Sequence, residues 1–258
     1  MIRRLKTTVH EKVWGSPRTE PWYRNSEGRN IGEVWFSASE SVPLLVKLLF
    51  TNDTLSVQVH PKDDYARVHH NSRGKTEMWH ILRADPGAKI ALGLNKALKP
   101  QQLREASLSG EILDLLNWVQ VRPGETYFVP AGTIHAIGGG LALCEVQQHS
   151  DITYRLYDYG RDRELHLDDG VAVSDLEAQT TGVATLPLEC EYFRTDRREI
   201  RGSARVPGGK LYIALAGEGS IGGEPFRAGE AFEVDTEVEI TSPEASFLVT
   251  EARVTEAR

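Results

Sequence analysis

The chain has 258 residues, with 37 Asp and Glu against 30 Lys and Arg and a formal net charge of −7, which excludes a nucleic-acid binder working through a broad basic face. A hydrophobic content of 40% excludes wholesale disorder. No apolar run approaches the roughly 18 residues of a membrane-spanning helix, the basic start "MIRRLKTTVHEKVWGS" lacks a secretory apolar region, and Cys144 and Cys190 form neither a CxxC pair nor a disulfide framework, so a cytoplasmic protein with no membrane partner is expected.

Residues 1–42 scatter Trp14, Trp22 and Trp35 among Gly, Ser and charged residues and contain one strand, "IGEVWFSAS". The apolar run "PLLVKLLF" (43–50) suits a buried strand. "TLSVQVHP" alternates, placing Leu55, Val57 and Val59 on one face and Ser56, Gln58 and His60 on the other. A strand with one apolar and one ligand-rich face fits a barrel wall lining a site. "KDDYARVHHN" has helical character, with Asp63 or Asp64 at the N-cap. Lys75, Glu77 and Trp79 then alternate on one strand face.

"AKIALGL" reads as the next strand, and residues 100–119 as two short helices divided at Ser109–Gly110. Strands resume at "ETYFVP", "LALCEVQQ" and "ITYRLYDY". Residues 160–187 are polar and linking, with a short helix or strand extension at "HLDDGVAVSDL". From 188 to 258 apolar and polar residues alternate between Gly-rich turns. No histidine follows His166, so this last part is read as metal-free and structural.

Gln58, His60, Glu77 and His135 offer an amide oxygen, two imidazoles and a carboxylate to a divalent cation. Gln58 and His60 stand two apart on a strand and so project to one side. Such donors suit zinc, and also iron, manganese or cobalt. With a single carboxylate, a dication keeps net positive charge and acts as an electrophile. The spacing of Gly124, Pro130, Gly132 and His135 matches the second signature of a cupin barrel, and Gln58 to Glu77 is a modified first signature. The expected architecture is mainly β: a cupin (jelly-roll) barrel over residues 1–170 with a short helical insertion at 100–119, then a second, degenerate cupin-like half over 171–258. A second cluster follows at "EVQQHSDITYRLYDYGR", where Glu145, Arg155 and Arg161 lie near the metal residues. The planar fork of Arg suits phosphate, though salt bridges to Asp151, Asp158 or Asp162 fit the spacing equally well.

The blocks "PLLVKLLFTNDTLSVQVHPKDDYA", "GKTEMWHIL" and "VPAGTIHAIGGGLALCEVQQHSDITYRLYDYGR" resemble the type I phosphomannose isomerases (mannose-6-phosphate isomerases), a zinc-dependent cupin family, over roughly residues 10–170. The resemblance implies interconversion of mannose 6-phosphate and fructose 6-phosphate with one zinc ion on Gln58, His60, Glu77 and His135. It implies Lys75, Glu145 and Arg155 as the catalytic group, with Trp14, Ser56, Asp151 and Arg161 binding the sugar phosphate. Its implied partner is that small molecule alone, and no long exposed apolar stretch demands more than a monomer or weak homodimer. Rival readings on the same fold are a non-catalytic sugar-phosphate-binding module, an isomerase of another sugar, and a metal-dependent oxygenase; Gln58 and the arginines speak against the last.

Overall fold

The computed structural model describes residues 1–180 and 182–253. Over that span the strands form three antiparallel sheets. A six-stranded sheet runs in the order Lys6–Ser16, Ile31–Ser37, Leu44–Phe50, Leu141–Gln148, Glu77–Ala84 and Thr126–Val129. A five-stranded sheet takes Tyr154–Tyr157, Val57–Val59, His135–Ile137, Lys89–Leu94 and Leu116–Gln120. The third sheet has eight strands, drawn from Leu188 to Ala252 and joined by the N-terminal Ile2–Arg4, which pairs with Ala231–Val234.

Strand alternation stacks these sheets. On Leu44–Phe50, Leu44, Val46, Leu48 and Phe50 face the eight-stranded sheet and meet Phe193, Leu211, Ile213 and Leu248. Leu49, on the opposite face, joins Trp79, Ile81 and Leu143 against Ile90, Leu92 and Ile137 of the five-stranded sheet. The six-stranded sheet is therefore the middle layer. This is why Leu44–Phe50 and Leu141–Gln148 are buried at every position, their polar residues Lys47, Glu145, Gln147 and Gln148 included.

The outer face of the five-stranded sheet carries Val57, Val59, Ala91 and Leu156, covered by Leu103 and Ala106 of the Pro100–Ser109 helix and by Ile112. Gly110, at φ +85, ends that helix in the left-handed region where the sequence placed the break. The expected 160–187 link contains the helix Leu167–Val173, which packs on the same layer through Leu167, Val171 and Val173.

Three local expectations are corrected. The segment before residue 30 is not irregular: Lys6–Ser16 is an 11-residue strand. Its register against Ile31–Ser37 shifts at Glu11, which breaks the alternation that marks a strand in sequence. Leu55 does not share the Val57–Val59 face, because that strand begins only at Val57; Leu55 packs in the inner core. The Asp63–His70 helix is capped by the extended backbone of Lys62 without a side-chain bond. Asp63 Oδ1 instead accepts hydrogen bonds from Gly74 N at 2.7 Å and Gln148 Nε2 at 2.9 Å, tying the helix to the segment that delivers Lys75.

Leu48→Ala should destabilise the fold by roughly 2–5 kcal/mol through the cavity left between the middle and eight-stranded sheets. Val13→Ala, at a side chain 70% exposed, should stay within about 0.5 kcal/mol. Urea unfolding of the two variants measures the difference; equal losses would mean the two sheets do not share a packed core.

Candidate active site

The site lies between the five- and six-stranded sheets, and register places its residues. His135 opens the strand His135–Ile137 and pairs across it with Gln58. The turn before it is set by Gly132, at φ +94, whose N–H donates to the carbonyl of His60 at 2.8 Å. His60 and His135 are thus fixed to each other through the backbone. Glu77 comes from the opposing sheet as the first residue of Glu77–Ala84.

His60 Nε2 lies 3.6 Å from Glu77 Oε2, and His135 Nε2 lies 3.6 Å from Glu77 Oε1. Each imidazole is aimed by its other nitrogen: His60 Nδ1 bonds the Ile152 carbonyl and His135 Nδ1 the Thr133 carbonyl, both at 2.9 Å. With Nδ1 donating, each Nε2 presents a lone pair to the group. Burial keeps both rings neutral: His135 is pushed down to about 4, and His60 lies well below the ordinary imidazole range, with the charge of Lys75 adding to the effect.

Glu77 is pushed the other way, its carboxyl raised by burial and by the charge of Glu145. Among the described residues, His60 Nε2 and both carboxylate oxygens of Glu77 are buried without a hydrogen bond. Orphaned buried acceptors are costly unless something binds them. Two neutral imidazoles and one carboxylate with ligand atoms within 4.8 Å of one another fit a divalent cation. Gln58 sits beside them, its amide nitrogen 3.2 Å from His135 Nε2 and its oxygen accepting from Ser56 Oγ at 3.3 Å. A half-turn of the amide offers Oε1 to the same point.

Beside this group opens a cavity of about 330 Å³ whose wall includes Trp14, Ser56, Gln58, Lys75, Asp151 and Arg155. Lys75 Nζ is 3.4 Å from Glu77 Oε2. Burial pushes its ammonium down, but the charges of Glu77, Glu145 and Glu33 outweigh it and raise the pKa.

Glu145 also lines the cavity. It pairs in register with Lys47 on one neighbouring strand and Trp79 on the other. Lys47 Nζ is 3.1 Å from Glu145 Oε1, and Trp79 Nε1 donates to Oε2 at 3.0 Å. Burial alone would raise the Glu145 carboxyl, but Lys47 and then Lys75 bring it below the usual range, so it is ionised at neutral pH.

Arg161, expected at the substrate, does not line the cavity. Its guanidinium donates to Asp53 at 3.0 Å, to the Thr54 carbonyl at 2.6 Å and to Asp158 at 3.3 Å, the salt-bridge alternative that its acidic neighbours allowed. Lys47, Glu33, Trp35 and Arg163 line the cavity and were not singled out from sequence. For Lys47 a signal existed, since a charge inside a fully apolar run needs a buried partner; Arg163 stood in a run of charges with nothing to mark it.

No family model matches the chain. It is 40% identical over 237 residues to mannose-6-phosphate isomerase ManA of Bacillus subtilis, covering 79% of this chain and 75% of that protein. Among solved structures it is similar to the mannose 6-phosphate isomerase from Bacillus subtilis, at TM-score 0.84 and 26% identity over 96% of this chain and 98% of that one. A zinc-bound mannose 6-phosphate isomerase shares the fold at TM-score 0.76 and 15% identity, covering 98% of this chain and 100% of that one.

Two outcomes follow from this geometry. His135→Ala should weaken divalent-cation binding by at least about 100-fold, the scale of losing one of three protein ligands and above the outer-shell effect, as read by titration calorimetry. Lys47→Met should destabilise the fold by roughly 3–5 kcal/mol by stranding a buried carboxylate, and Lys47→Met with Glu145→Gln should recover much of that loss. A double variant no more stable than the single one would show that the pair is not the source.

Proposed function

The chain belongs to the mannose-6-phosphate isomerase family, and on that premise we propose that it interconverts mannose 6-phosphate and fructose 6-phosphate, using one zinc ion held by His60, Glu77 and His135 with Gln58 beside them. The observation that carries this reading is a cavity lined by Gln58, Lys75 and an ionised Glu145, with Lys75 reaching 3.4 Å to Glu77 of the buried cation-binding triad behind it. When bound there, the cation supplies Lewis-acid polarisation of the sugar's O1 and O2 oxygens.

The rest falls to the chain's own side chains. Moving a proton between C2 and C1 through a cis-enediol needs a carrier within reach of both carbons. Lys75, which lines the cavity and touches Glu77, is assigned as that carrier. Against the push of burial, Glu77 and Glu145 hold it as an ammonium; with part of their charge cancelled by a dication on Glu77, its amine is freed to accept the proton. Glu145, kept ionised by Lys47 and aimed by Trp79, accepts hydrogen bonds from the sugar hydroxyls. Arg155 lines the cavity, and its guanidinium would help orient the substrate there. Trp14, Ser56 and Asp151 complete the wall. A non-catalytic sugar-phosphate-binding module would want the cation and the arginines; two buried acid–base groups facing the same cavity favour turnover.

Among the described residues no helix is long and apolar enough to cross a membrane. We place the reaction in the cytoplasm, with a monomer or weak homodimer as the working unit, residues 1–170 as the catalytic unit and 171–258 as the metal-free one.

Proton NMR of mannose 6-phosphate in D2O, with chelated and then zinc-restored protein, tests the activity. Fructose 6-phosphate should form only with zinc, carrying deuterium at C1 to the extent that the transferred proton exchanges with water. Absence of product with zinc bound would favour the binding module or another sugar. Lys75→Met should keep zinc and lower kcat by about 100-fold or more; unchanged kcat would remove Lys75 as the proton carrier.

A further inference from the structure

The phosphate end of the cavity is not fixed by the cation triad, and two guanidiniums compete for the role. Arg155 lines the cavity. Its Nη1 donates to the Glu164 carbonyl at 2.6 Å, and its Nε is buried without a partner. The loop that follows is closed on Arg155 itself: Arg155 N donates to His166 Nδ1 at 3.1 Å, and His166 N donates to the Arg155 carbonyl at 2.8 Å. The intervening residues 158–163 are thereby hung beside Arg155.

Within this loop Asp158 is the anchor, its side chain only 2% exposed. Arg163 grips it with two charge-assisted bonds, Nε to Oδ2 and Nη2 to Oδ1, both at 2.6 Å. The fork is held at Nε and Nη2, and among the described residues Nη1 has no hydrogen-bond partner, on a residue that lines the cavity. Arg161 uses its donors on Asp53, Thr54 and Asp158 and lies outside the cavity wall.

We propose that Arg163, oriented by Asp158 and standing beside Arg155, is the residue that makes this site specific for a phosphorylated sugar. The assignment rests on the isomerase reading for its substrate, though not for its anion chemistry. The charge of Arg163 acts on Arg155: burial first, and Arg163 next, lower the Arg155 guanidinium below its usual range. Two cations that repel across a cavity are relieved when a phosphate dianion comes between them. Asp158 is a positioning residue, acting through Arg163.

The test compares Arg163→Met, Arg163→Lys and Arg161→Met in zinc-loaded full-length protein. Inorganic phosphate is titrated against each, read by fluorescence of the cavity tryptophans Trp14 and Trp35. Turnover is measured with mannose 6-phosphate and with unphosphorylated mannose. Arg163→Met should weaken inorganic phosphate and raise KM for mannose 6-phosphate by about 10- to 100-fold, the scale of a lost charged hydrogen bond. Its turnover of mannose should stay within a few-fold of the unaltered protein. Arg163→Lys should restore part of the loss, and Arg161→Met should weaken phosphate less than Arg163→Met. Equal losses on both sugars, or phosphate binding unchanged in Arg163→Met, would overturn the assignment. So would an Arg161→Met loss as large as that of Arg163→Met. Because phosphate binding is read without turnover, a failure of the isomerase reading leaves a separate signature: no product from the unaltered protein.

Discussion

Burial of the six-stranded sheet on both faces is the constraint on which the rest of the structure depends. One face must be apolar to pack on the eight-stranded sheet, and Val46, Leu48, Met78, Cys144 and Val146 supply it. The other face looks into the space shared with the five-stranded sheet, where any polar group must find a partner within the protein or in a ligand. The row Trp35, Lys47, Glu145, Trp79 and Tyr127 runs across that inner face by strand register alone. An ion pair, an indole N–H and a cation over the Trp35 ring at 4.6 Å satisfy its charges. One strand end away lies Glu77, neither of whose buried carboxylate oxygens has a hydrogen bond among the described residues.

That residual imbalance is the chemical content of the site. Two imidazoles made neutral by burial and a carboxylate with no hydrogen bond cannot stabilise one another well. Lys75 answers part of the Glu77 charge at 3.4 Å; a dication would satisfy the imidazole lone pairs as well, and the single negative charge of the group would leave it electrophilic. The backbone of Gly132 and His60 keeps the donors in place, so the metal group is pre-organised by hydrogen bonds that serve the fold as well.

The same division between anchor and tool recurs at the cavity mouth. Asp158 holds two arginines, and the difference between them is geometric: Arg161 turns toward Asp53 and the Thr54 carbonyl, Arg163 toward the cavity. Residues of identical chemistry two positions apart thus take different tasks.

Alternation on a strand is local, and so Gln58 and His60 could be read as a ligand pair from sequence, with Glu77 and His135 joined to them by motif spacing. Most strands of the middle layer, the helices Pro100–Ser109 and Ile112–Leu115 and their break at Gly110 were legible for the same reason, each being dictated by neighbours in the chain; Lys6–Ser16 was not, and Leu116–Gln120, expected to continue the helical segment to 119, is a strand paired with Lys89–Leu94. Local pattern and motif spacing were enough for the His60, Glu77 and His135 donors, the mainly β character and the family likeness. Only the tertiary structure decided that Lys47 neutralises Glu145, that Trp79 is a hydrogen-bond donor to it as well as a core residue, and that Arg163 lines the cavity while Arg161 does not. Those facts depend on inter-strand register and on which carboxylate a guanidinium reaches across the fold, such as Asp53, 108 positions before Arg161. Local periodicity carries no information about pairings at that separation, because they are fixed when the sheets stack and each buried charge takes the partner that register brings within reach.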